Sequence, residues 1–101
     1  MQALQLLSTL RAICNDTVIA CNRQEYKTGF IHQLHNQKLQ AIHDRIAKDN
    51  QINKSVKQKY FNEIRKVSLA PVKVKDYTLM RNEINSKLLT LSSAVDFMKK
   101  R

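Results

Sequence analysis

The chain has 101 residues, 43% of them hydrophobic and 26% charged, a balance that fits one folded domain rather than a disordered chain. One glycine, Gly29, and one proline, Pro71, supply too little turn chemistry for an all-β fold and exclude the glycine-rich loops that cradle nucleotide phosphates. Lys and Arg outnumber Asp and Glu by 18 to 8, so a net charge of +10 directs the search for partners toward polyanions: nucleic acid, an acidic protein face or an anionic membrane surface.

From Ala3 onward apolar residues recur at helical steps through Leu7, Leu10, Cys14, Val18 and Cys21. After a polar interval Ile31, Leu34, Ile42 and Ile46 share one face, with Leu39 at its edge. The spacing predicts a helix over about 2–48, either continuous or broken near Thr28, where Gly29 costs about 1 kcal/mol relative to alanine. Lys48-Asp49-Asn50-Gln51 reads as a connection, because Asp and Asn favour turns and caps. A second helix over about 52–68 follows, with Ile52, Val56, Tyr60, Ile64 and Val67 on one face, and it ends ahead of Pro71. Residues 69–75 read as an extended linker, although Pro71–Lys75 alternates like a strand.

Asp76 is the expected N-cap of a last helix over about 76–99. Its stripe of Tyr77, Met80, Ile84, Leu88, Leu91, Val95 and Met98 is the most regular in the chain, and Ile84, Leu88, Leu91, Val95 and Met98 form a two-heptad seam suited to bundle packing or to a homodimer. The expected fold is therefore all-α in a single domain, residues 1–101. It is a small three-helix bundle, a four-helix bundle if the first helix breaks near Gly29, or an extended helical hairpin with coiled-coil-like packing.

The charge is unevenly placed. Residues 1–50 and 76–101 each carry +2, whereas 51–75 carry +6 from Lys54, Lys57, Lys59, Arg65, Lys66, Lys73 and Lys75, opposed only by Glu63. On a helical wheel Lys59 and Lys66 lie on one flank of the second helix's stripe, and Lys57, Lys54 and Arg65 lie beyond the other, so the apolar face stays free to pack. These seven are the candidate phosphate contacts; the alternative is that they only solvate an exposed helix. Contact by most of them predicts a log–log salt slope of about −4 to −6 on duplex DNA. The Lys99-Lys100-Arg101 tail extends the same charge. Phe61 falls off the stripe and is either a core residue or a ring on which a base can stack.

No catalytic residue, cofactor or metal site is expected. Cys14 and Cys21, seven residues apart on one helix, are separated by roughly 10 Å, too far for a disulfide, and read as free thiols of a cytoplasmic protein. His32, His35 and His43 lack the further ligands of a zinc site and read as surface or partly buried side chains. No run approaches the ~20 apolar residues of a membrane span. These features point to a non-catalytic basic protein that associates with DNA or RNA through its central segment without strong sequence specificity. The alternative is a protein-interaction module, an adaptor or inhibitor of the kind encoded by phages or mobile elements, docking on an acidic face of a nucleic-acid-processing enzyme. Leu79, Leu89 and Phe97, which lie off the last helix's stripe, would supply its apolar surface.

Overall fold

The computed structural model describes residues 1–69 and 76–99; the strand-like alternation of Pro71–Lys75, the charges of Lys73 and Lys75, and Lys100-Arg101 lie outside the described residues. Those residues form four helices, α1 (Ala3–Arg23), α2 (Thr28–Ala47), α3 (Lys54–Lys66) and α4 (Tyr77–Lys99), with no strand among them.

Of the two alternatives for residues 2–48, the broken one is found: α1 and α2 are separate helices with α2 starting at Thr28, which gives the four-helix bundle and excludes the three-helix count and the extended hairpin. The chain turns at Gln24, which takes a left-handed φ of 53° and donates its amide to the Ala20 carbonyl, closing α1. Gly29 is not the breaking point; it lies in the first turn of α2 and has no positive φ. Arg23, Gln24, Glu25 and Lys27 are all adequate helix formers, so local propensity does not call for the turn. Its cause is packing: the turn folds α2 back along α1 and buries Ile31, Leu39 and Ile46. Each such side chain contributes about 1.5–3 kcal/mol, against about 1–2 kcal/mol for one left-handed non-glycine residue.

The three helix pairs follow one logic. α2 is antiparallel to α1, tied by Thr17 to His35 and by Asp16 to Lys38. α3 returns along α2, where Phe61 stacks on His43 with ring centroids 4.2 Å apart. α4 runs antiparallel along α1, with the Tyr77 hydroxyl donating to the Tyr26 carbonyl at 2.7 Å and Arg81 donating to Asn22. α1 is thus the central helix, touching the other three and packing most extensively on α4. Its buried face takes in Leu6 and Ile13 beside the predicted Leu7, Leu10, Cys14 and Cys21. The molecule measures 40 × 30 × 18 Å, whereas one unbroken helix over 2–48 would span roughly 70 Å.

Side chains define the starts of α3 and α4. Asp76 accepts the amides of Thr78 and Leu79, the expected N-cap of α4, and Asn53 accepts the Val56 amide at 2.9 Å to cap α3. In the α2–α3 connection Asp49 accepts the Gln51 amide, the Asx turn that the Asp-Asn composition favours.

Candidate nucleic-acid interface

Packing sorts the basic residues of α3 into two groups. Ile64 and the adjoining Val67 are buried, with Val56 and Tyr60 half-buried beside them, so the opposite side of the helix faces outward. Lys54, Lys59, Arg65 and Lys66 lie on that exposed side, around the uncharged Ser55, Gln58 and Asn62. Lys66 pairs with Glu63 at 3.1 Å, but both are solvated and such a pair contributes little. Lys54, Lys59 and Arg65 have no ion-pair partner among the described residues.

Lys57 differs from the other four. It is half-buried, and its Nζ donates to the Ala47 carbonyl at 2.9 Å, neutralising the partial negative charge at the end of α2. Lys87 of α4 does the same for α3 by donating to the Lys66 carbonyl at 3.0 Å. Of the seven basic positions singled out in the sequence, four form the exposed face, Lys57 closes a helix end, and Lys73 and Lys75 lie outside the described residues.

The other sequence candidates have definite places too. Phe61 is half-buried with His43 against one side of its ring. Both line an open groove of about 430 Å³ between α2 and α3, together with the buried Leu39 and the exposed Gln40, Gln58 and Arg65. Arg65 also lines the shallow basic surface formed with Lys59, Asn62 and Lys66, so groove and outer face are continuous. The α4 seam lies in the core of this same chain: Ile84, Leu91 and Val95 are buried, and Leu88 and Met98 are half-buried against the core. Leu79 and Leu89, by contrast, are 55% and 72% exposed, and Phe97 is exposed as well.

Sequence reasoning missed one constellation. His35, read as a surface or partly buried side chain, is 1% exposed, while Leu34, assigned to the apolar face, is 38% exposed. His35 bridges the Thr17 hydroxyl at 2.7 Å and the Val67 carbonyl at 2.8 Å. A carbonyl can only accept, so Nε2 carries the proton and Nδ1 accepts from Thr17. Burial, the largest influence, pushes its pKa down and keeps the ring neutral; the hydrogen bond to Val67 opposes this. At the next residue Asn36 exchanges two hydrogen bonds with the Leu69 backbone, and the ring of His32, one turn earlier, joins it at the Leu69 carbonyl. Together these three side chains of α2 fasten the end of α3. The available signal was position, since His35 stands four residues after Ile31 and four before Leu39.

Among the described residues no group of three or more His, Cys, Asp or Glu side chains comes together as a metal site, and no helix is long and apolar enough to cross a membrane. Cys14 and Cys21 are buried free thiols; burial pushes Cys14 up to about 11 and raises Cys21 as well, so neither is a ready nucleophile. The fold and surface define a small, basic, four-helix protein. Comparison with protein-family models, with curated proteins and with solved structures returns no match.

Proposed function

We propose that this chain is a non-catalytic binding protein that grips nucleic-acid phosphates through the outer face of α3 without reading sequence. The observation that carries the reading is the four-cation face of Lys54, Lys59, Arg65 and Lys66, opposed by the single carboxylate of Glu63. Lys54 adds to it. It opens α3, whose first turn has no acidic residue, and a cation there works against the helix dipole by about 0.3–1 kcal/mol. Helix stability alone would favour an acid at that position. The uncharged Ser55, Gln58 and Asn62 between the cations suit hydrogen bonds to phosphate and sugar oxygens. The buried free thiols fit a reducing compartment such as the cytoplasm.

The test is fluorescence anisotropy with labelled single-stranded and duplex DNA and RNA over a range of salt. The four contacts of the exposed face give a log–log slope of about −3.6 on duplex; Lys57, which holds a helix end, adds nothing to it, and contacts by Lys73 and Lys75 would steepen it toward the seven-residue expectation. The variant with Lys54, Lys59, Arg65 and Lys66 changed to Glu keeps Lys57 and should fold but not bind. Salt-independent affinity in the unmodified protein would refute the proposal.

A second reading rests on a different surface. The exposed Leu79 and Leu89 on α4, outside the packed seam, suit a protein partner whose acidic rim meets the basic chain. Sedimentation showing an isolated monomer that binds no hydrophobic dye would weigh against it.

A further inference from the structure

We infer that the α2–α3 groove receives an unpaired nucleobase, which makes single-stranded nucleic acid the preferred ligand of the basic face. The inference rests on the phosphate-binding reading above and adds a second site beside it. Four features of the groove support it.

Its volume of about 430 Å³ lies within the roughly 300–1,000 Å³ of small-molecule sites. Its lining is aromatic where a base needs a flat partner: His43 and Phe61 form a stacked pair with an interplanar angle of 26°, and His43 is 40% exposed. Bases of every kind stack on such surfaces, because each has a π-face. The sides supply polar groups suited to a base edge. Gln40 donates from Nε2 to Asp44 and Gln58 from Nε2 to Asn62. Each amide has a second donor hydrogen and a carbonyl oxygen beyond that bond.

The fourth feature is charge. Among the described residues no acidic side chain lines the groove itself; Asp44 stands behind it, accepting from Gln40 and lying 3.5 Å from His43 Nδ1, while Arg65 belongs to both the groove and the cationic face. A base in the groove therefore has a guanidinium beside it for its own phosphate and the remaining cations for neighbouring phosphates. Duplex DNA offers phosphates but no base free to leave the stack, so it can use the outer face alone. That difference makes the two parts of the site separable by experiment.

Three labelled probes of equal length separate them: a single strand, a duplex, and an abasic strand that keeps the phosphates and lacks the bases. The expected order is single strand tighter than both the duplex and the abasic strand. His43→Ala and Phe61→Leu should each weaken single-strand binding by roughly 5- to 100-fold while leaving duplex and abasic binding within about twofold. Retained duplex binding also shows that each variant is folded, and His43 is exposed enough for its removal to spare the core. On the unmodified protein, a strand carrying 2-aminopurine should change its fluorescence on binding as the base leaves water for the His43–Phe61 pair. Equal affinity for single and abasic strands, with both variants neutral and no 2-aminopurine response, would overturn the groove assignment and leave the phosphate face standing. Failure of all three probes to bind at low salt would overturn both.

Discussion

Removing His35 should cost more stability than its polar character suggests. In His35→Leu the side-chain volume is roughly kept, but the Val67 carbonyl loses its buried donor, a penalty of about 1–3 kcal/mol. Thr17 escapes a similar penalty, because its hydroxyl already lies 3.1 Å from the Ile13 carbonyl and can donate there instead. His35→Ala adds the cavity left by a fully buried ring, so its total should reach about 3–5 kcal/mol. Against the 5–15 kcal/mol that is usual for a domain, that threatens the fold. Urea unfolding followed by circular dichroism at pH 7 checks both values, provided the slope with urea stays constant.

The same substitution has a pH signature. The native pKa of His35 is depressed, so below the unfolded value of about 6.5 the unfolded chain binds the proton more readily than the native one. Stability contributed by the neutral ring is therefore fully present above about pH 6.5 and is lost as pH falls from there toward the native pKa. His35→Leu should remove this acid-sensitive component, making its stability flatter from pH 7 to pH 5 than that of the unmodified protein. Equal losses in the Leu and Ala variants, or an unchanged acid slope in His35→Leu, would refute the assignment of His35 as a neutral bridge.

Two further outcomes test the packing. Gly29 lies in the first turn of α2 with no positive φ, and a Cβ added there would meet nothing within 4 Å, so Gly29→Ala should stabilise the protein by about 0.4–1 kcal/mol, read as a rise in Tm. Cys14 and Cys21 should resist a thiol reagent at neutral pH and react fully in denaturant; rapid native labelling of either would contradict their burial and raised pKa values.

Much of this molecule is written locally. Asp76 announces α4, the stripe from Tyr77 to Met98 gives its packed face, and the Asp-Asn connection after Lys48 separates α2 from α3. These are near-neighbour effects: periodicity, caps and turn chemistry act over a few residues, so a sequence suffices to reveal them. The surplus of positive charge on α3 is equally plain, because charges that no helix can bury remain on a surface. What sequence could not supply was the partner of each face. Gln24 turns left-handed because α2 gains more by folding onto α1 than by continuing it. His35 takes the core position for which Leu34 was expected because Thr17 and Val67, distant in sequence, meet it there. Lys57 leaves the phosphate set because the Ala47 carbonyl lies within reach. The groove beside Phe61 exists only when α3 lies along α2. The sequence determined the helices and where positive charge is concentrated; the tertiary structure decided which of those side chains are free to meet a ligand, since burial and hydrogen-bond partnership depend on contacts that no local pattern contains.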